Sequence, residues 1–373
     1  MKHLIYADNA ATTQLDIDAF EAMKPYLLNE YYNASQPYSF ARKPKQALKD
    51  ARVTIAKCIN ALPEEIYFTS GGTESDNWAI KAIALNGKTG KILTSKIEHH
   101  AVLNSCKSVE KQGICVDYLD VSDTGILEPT TLAEAITDTT KLVSIMYANN
   151  EIGSIQPIKE LCEIAHQNGA LFHTDAVQAV GHVKIDVKEL GVDLLSASAH
   201  KFNGPKGIGF LYIKKGTPIQ AYEDGGSQEF SLRAGTENVA SIVGMAVALK
   251  KNSDSLTENE KYLNDLEKYF FKMLSDINVD FVRNGSTKHI PGNISLSFKN
   301  ADGEAILHRL DLKGICISTG AACNSVKKEI SHVLRAISLP EEYARGTIRI
   351  SFGNANTLSD ITSIVDALIK ILS

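Results

Sequence analysis

A chain of 373 residues has room for about two domains, and an apolar fraction of 44% is ample for a buried core. A net charge of −5 with no basic block argues against nucleic acid or a membrane surface as the main partner. Six cysteines (58, 106, 115, 162, 316 and 323) form no Cys-x-x-Cys pair, which disfavours a disulfide framework or a zinc site and points to a reducing cytoplasm. The N-terminus lacks the apolar stretch of a signal peptide, and no later segment reads as membrane-spanning.

Along the chain, strand-like runs at 66–69, 91–95, 116–119, 142–147, 170–174, 193–198 and 208–213 alternate with helical segments such as 158–166. That alternation predicts a mostly parallel sheet wrapped by helices, with sites at the strand ends. The first run leads into Gly71-Gly72-Thr73 and a helix, whose unsatisfied N–H groups suit a phosphate, although such a turn is also common without one. Past the second stand Glu98-His99-His100, where an imidazole can stack on a flat ring. A surface histidine pair or a metal site is the plainer reading, and adjacent histidines point apart, which disfavours zinc.

The run at 170–174 leads to Asp175-Ala-Val-Gln178, and one strand–helix–strand unit later comes Ser196-Ala-Ser198-Ala-His200-Lys201, ahead of Gly204-Pro205. Asp175 and Lys201 are thus expected on the same sheet edge. A lysine there suits an amine that forms a Schiff base, and the carboxylate suits a protonated pyridine nitrogen. Taken singly, the two also fit a turn lysine and a helix-capping aspartate.

A boundary is expected at 251–256, followed by a capping box from Thr257 to Glu260 and a helix with core positions Leu263, Leu266, Phe270, Met273 and Leu274. The expected domains are residues 14–255, and a smaller α/β unit of 1–13 with 256–373. In the smaller unit, Ile317-Ser-Thr-Gly-Ala-Ala-Cys323-Asn-Ser325 is small and polar and reads as an exposed loop ahead of a helical 332–336. Cys316, between isoleucines, reads instead as an inert apolar residue.

These motifs resemble the aminotransferase class V group of fold-type I pyridoxal phosphate enzymes, and within it the group I cysteine desulfurases of the NifS/IscS type. The resemblance runs from Tyr6-Ala-Asp-Asn-Ala-Ala-Thr-Thr13 through Asn149-Asn150-Glu151-Ile-Gly153 and Leu232-Arg-Ala-Gly-Thr236-Glu-Asn238 to Thr347-Ile-Arg349-Ile-Ser351. It implies a seven-stranded, mostly parallel sheet, pyridoxal 5′-phosphate as cofactor, and Lys201, Cys323 and His99 as catalytic residues. Lys201 carries the cofactor, His99 stacks on its ring, Asp175 pairs with the pyridine nitrogen and Gln178 bonds the ring hydroxyl. Gly72, Thr73, Ser198 and His200 hold the phosphate, and Thr236 reaches the phosphate of the neighbouring subunit of a homodimer. Asn150 and Arg349 grip the carboxylate of L-cysteine. Cys323 accepts its sulfur as a persulfide, passes it to an acceptor protein, and serves as a transient iron–sulfur ligand rather than part of a resident metal site.

A selenocysteine lyase or an aminotransferase shares this frame, and Cys323 is the feature an aminotransferase does not need. The acceptor stays open between an iron–sulfur scaffold and a thiolation enzyme, for tRNA among others. The chain departs from the family pattern at Gly225-Gly-Ser-Gln-Glu-Phe230-Ser231, where an arginine is usual, at Asn33-Ala-Ser-Gln-Pro-Tyr38, and at Gly353-Asn354. It also stops soon after an expected helix at 361–372, short of the tail with which longer members contact their scaffold.

Overall fold

The computed structural model describes residues 4–84, 90–275, 279–319 and 330–372. Its strands in chain order are β1 (Ile5–Tyr6), β2 (Ile66–Thr69), β3 (Lys91–Ser95), β4 (Cys115–Leu119), β5 (Thr140–Ser144), β6 (Leu171–Asp175), β7 (Leu194–Ser198) and β8 (Gly209–Ile213). They continue with β9 (Phe281–Asn284), β10 (Asn293–Phe298), β11 (Ile315–Cys316), β12 (Ser318–Thr319) and β13 (Thr347–Ser351).

Seven of them form one sheet in the order β2-β8-β7-β6-β5-β3-β4, in which β8 alone runs against its neighbours. Helices cover both faces, so the central strands read as unbroken runs: all five residues of β7 and all five of β8 are buried. The helices Ile17–Leu28 and Arg42–Cys58 both pack against Val239–Asp254. A core around Ile55, Phe172, Phe202 and Phe210 fills the space beneath the sheet.

A second, antiparallel sheet has the order β12-β13-β10-β9. It shares a separate core with the helices Leu256–Leu274 and Leu358–Leu372, around Phe270, Phe298, Ile350 and Leu368. The chain's beginning joins this region, because β1 pairs in parallel with β11, Ile5 opposite Ile315.

The expected capping box does not form. Ser255 alone separates Val239–Asp254 from Leu256–Leu274, and its carbonyl already accepts the Asn259 N–H at 2.9 Å. Helical bonding therefore starts two residues ahead of Thr257, which lies inside the first turn rather than at its edge. The apolar face behind it does form: Leu263, Leu266, Phe270 and Leu274 are buried. Among the described residues, no helix is long and apolar enough to cross a membrane.

Candidate active site

Strands β2, β3, β6 and β7 point their C-terminal ends at one cavity of about 660 Å³, whose far wall is supplied by β13 and the segment around Ala10. This is where an open parallel sheet presents loops and helix N-termini rather than side-chain-filled faces.

The end of β2 turns through Gly71, at φ +146°, into the helix Gly72–Ala84. A Cβ on Gly72 would stand 2.5 Å from Val177 Cγ2, so the helix start and the chain after Asp175 fit together only without a side chain there. The first turn of that helix lines the cavity through Gly72, Thr73 and Glu74, beside the buried Ser198, and a helix start carries N–H groups without intrahelical partners.

At the end of β3, His99 caps the helix His100–Glu110, and its Nδ1 accepts the Ala101 N–H at 3.1 Å. The bond leaves Nε2 as the protonated nitrogen and fixes the ring, which is exposed on the cavity wall. Desolvation in the cavity, with Lys201 and His100 nearby, holds its pKa below the ordinary value although Asp175 opposes this. The preceding Glu98 is fully buried. It accepts from Ser95 Oγ at 2.5 Å and from the Met146 N–H at 3.0 Å, and burial still pushes its pKa up to about 8.

Asp175 ends β6 at 5% exposure, with Oδ1 accepting the Val177 N–H at 2.9 Å. Burial raises its pKa, while His99, that N–H and Lys201 pull it back. Behind it Asp76 is raised further, by burial and then by the Asp175 charge. His173 comes within 3.6 Å of Asp76, but burial depresses the imidazole to about 3, so the contact joins a neutral ring to a carboxyl group rather than two ions.

Past β7, Lys201 Nζ donates to the carbonyls of Ala10 at 2.6 Å and Ala11 at 2.9 Å. Gln178 Nε2 donates to the same Ala10 carbonyl at 3.0 Å. His200 Nδ1 lies 3.1 Å from Thr12 Oγ1, and burial with the charges of Lys201 and Lys206 takes its pKa to about 4. On the opposite wall Arg349 is 4% exposed, with Nη1 donating to the Asn150 carbonyl at 3.0 Å and Nη2 to Asp8 Oδ1 at 2.7 Å.

The cavity thus brings together Gly72, Thr73, His99, Asn150, Asp175, Gln178, Ser198, His200, Lys201 and Arg349. Thr236 is exposed and stands outside it, and Cys323 lies outside the described residues. Cys316 sits in β11, its thiol raised by burial and by Asp311 and Asp8. Sequence reasoning gave no role to Asp8, Thr12, Asp76 or the Ala10 and Ala11 carbonyls. The motif around residues 6–13 was the one signal for all of these but Asp76, which lies on the helix after Gly72, and it does not name their partners.

Residues 5–364 match the aminotransferase class-V family. The chain is 48% identical to a cysteine desulfurase IscS of Dictyoglomus turgidum, over 100% of this chain and 95% of the relative. It is 47% identical to a cysteine desulfurase IscS of Methanosarcina thermophila, over 99% and 92%. A solved NifS-like protein superposes with a TM-score of 0.94 at 35% identity, over 99% of both chains. Sequence and fold agree over nearly the full length, and the chain belongs to the aminotransferase class-V family.

Proposed function

We infer that this chain is a cysteine desulfurase that uses pyridoxal 5′-phosphate to convert L-cysteine to L-alanine and passes the sulfur to a cysteine of its own. The observation that carries the reading is the single cavity in which Lys201, buried Asp175 and a glycine-opened helix N-terminus meet, with Arg349 on the wall. The close relatives named cysteine desulfurase support it over the whole chain.

The residues present fit the cofactor. Gly71 and Gly72 leave room for backbone approach at a positive helix end, which with Ser198 and His200 suits a phosphate. When bound, the cofactor supplies an aldehyde that captures the substrate amine and a protonated pyridine ring that stores electrons released at the substrate Cα. Asp175 would keep the proton on that ring nitrogen, and the neutral imidazole of His99, locked by the Ala101 N–H, would stack on the ring. Gln178, which lines the same cavity, would bond the ring hydroxyl.

Arg349 and Asn150 hold the substrate carboxylate, and Lys201 Nζ takes the Cα proton. The Cys323 thiolate attacks the substrate sulfur; its S–S bond forms as the substrate's Cβ–S bond breaks, and protonation of the remaining carbon skeleton gives alanine. The persulfide is then handed to an acceptor protein, an iron–sulfur scaffold or a thiolation enzyme. The reaction needs a reduced thiol, which suits a cytoplasmic enzyme.

The two cores support a division into a large cofactor-binding unit, residues 14–255, and a small unit of 1–13 with 256–373. Exposed Thr236, outside its own cavity, suits a homodimer in which it reaches the partner's phosphate.

The test is to incubate the purified, cofactor-loaded protein with L-cysteine and a thiol reductant and to measure sulfide and alanine. Cys323→Ser is expected to bind cysteine, followed by cofactor absorbance, while releasing no sulfide. Mass spectrometry without reductant should find one added sulfur on Cys323 in the wild type. Sulfide release by Cys323→Ser at near wild-type rate would show an elimination that needs no protein nucleophile.

A further inference from the structure

The guanidinium of Arg349 is held by more than its strand. Arg349 sits in β13 opposite Ser318 of β12 and Ser295 of β10, and its side chain is 5% exposed. Of its five N–H bonds, one on Nη1 goes to the Asn150 carbonyl at 3.0 Å and one on Nη2 to Asp8 Oδ1 at 2.7 Å. Nε is buried and finds no acceptor among the described residues. A buried donor left without a partner is costly, and here it belongs to a charged group lining the cavity.

Asp8 is itself fixed at every polar atom that matters. Its Oδ2 accepts from Ser318 Oγ at 2.9 Å, which holds the carboxylate in an orientation where Oδ1 is the oxygen bonded to the guanidinium. Its backbone is tied to β13, where the Ser351 N–H donates to Ala7 and the Asn9 N–H to Ser351. The single Tyr6 Oη hydrogen is shared between the Thr12 carbonyl at 2.8 Å and the Asp8 carbonyl at 3.0 Å. A carboxylate clamped in this way takes one N–H of the arginine and leaves the others.

We propose that Asp8 is a positioning residue for the reaction: it holds Arg349 by one Nη2 hydrogen, so that the remaining N–H groups stand ready as a fork for the carboxylate of an α-amino acid. The proposal rests on the reading of Arg349 as the carboxylate-binding residue. Without Asp8, a buried guanidinium keeps the Asn150 carbonyl and loses the carboxylate in direct contact with it, leaving the more distant Glu151 as the acid that feels its charge. It is then free to rotate toward other partners, and each substrate molecule must re-order it. The anchoring atom matters more than the charge, because an amide oxygen in the same place still accepts from Nη2 while its Nδ2 can donate to Ser318 Oγ.

The experiment uses the cofactor-loaded enzyme and compares L-cysteine with cysteamine, which has the amine and thiol but no carboxylate. Binding of each is followed by cofactor absorbance, and KM and kcat for cysteine are measured alongside. Asp8→Ala is expected to raise KM for cysteine about tenfold with kcat changed less than about threefold, and to leave cysteamine binding unchanged. Asp8→Asn is expected to return KM to within about threefold of wild type, a recovery that follows from the retained acceptor. Ser318→Ala, which frees Oδ2, is expected to shift the cysteine-over-cysteamine preference in the same direction by about two- to threefold, and serves if Asp8→Ala does not fold. Arg349→Ala is the control. If it leaves the preference for cysteine intact, the carboxylate is bound elsewhere and the underlying reading fails. If Arg349→Ala abolishes the preference while Asp8→Ala and Ser318→Ala keep it, or if Asp8→Ala tightens cysteine binding, Asp8 is no positioning residue and the proposal is overturned.

Discussion

Two carboxyl groups stand behind the pyridine position of the proposed site, and their environments push them to different jobs. Asp175 has the Val177 N–H on one oxygen and the Lys201 charge nearby, both of which favour its anion. Asp76 is raised by burial and by the Asp175 charge itself, and its Oδ1 has no hydrogen-bond partner among the described residues. Two adjacent buried carboxylates cannot both ionise without large cost, and burial with the Asp175 charge makes Asp76 the more readily protonated of the two. Asp76→Asn, which replaces a neutral acid by a neutral amide, is therefore expected to change cofactor affinity by less than about threefold. Asp175→Asn removes a charge-assisted pair and is expected to weaken it by on the order of 2–5 kcal/mol. Cofactor titration of the two apo variants separates the cases, and equal losses would mean that Asp76 carries charge as well.

At the scale of elements, the site is a set of strand ends and helix starts, and that is why so much of it was legible. All seven strand-like runs of the sequence occur as strands, and Gly72, His99, Asp175 and Lys201 leave four of them toward one cavity. Apolar runs bounded by glycine report such local geometry directly. What the sequence did not report is pairing across distance. Asp8 and Arg349 lie 341 positions apart, and no local pattern links a carboxylate near the start of the chain to a guanidinium near its end. The capping box failed for a related reason: several short stretches before Leu263 could open the helix, and Ser255 does so. The helix start at Gly72 carries its own test. Val177 is β-branched and cannot swing its Cγ2 away from an added Cβ 2.5 Å off, so Gly72→Ala must move the helix N-terminus or the chain after Asp175. Gly72→Ala is expected to lower cofactor retention about tenfold, and Gly72→Ala with Val177→Ala to restore most of it. In a double-mutant cycle the coupling should reach about 1 kcal/mol, and additive effects would place the damage elsewhere.

For the whole molecule, the cavity leaves acidic groups buried, and this sets how stability depends on pH. Glu98 ionises at about 8 and Glu151 at about 7 in the folded protein, both raised chiefly by burial, against an ordinary 4.5. Above 4.5 the unfolded chain has released these protons while the folded chain keeps them until its own higher pKa, so stability falls as pH rises through that window. Two histidines act in the opposite sense: buried His173 at about 3 and half-buried His200 at about 4 are neutral when folded, and they add stability as pH rises toward the ordinary 6.5. Buried Glu267 departs the other way from Glu98: burial raises it, but His289 and Arg283 outweigh that and hold its carboxyl below the ordinary value. At pH 6.5 the unfolded histidines are still half protonated, so their contribution grows until about one unit higher and partly offsets the carboxyl slope; it is the same in a Glu98 variant and cancels in the comparison. Over that interval Glu98 is expected to cost on the order of 2 kcal/mol, a fall of a few degrees in Tm. Glu98→Gln keeps an acceptor for the Met146 N–H and an amide for Ser95, and has no proton to lose. Thermal unfolding of the two proteins, both cofactor-free, at pH 6.5, 7.2 and 8 should show a clear decline in the wild type and a much shallower one in the variant. An unchanged slope in Glu98→Gln would mean that Glu98 is ionised throughout and that the Ser95 and Met146 hydrogen bonds alone compensate its burial.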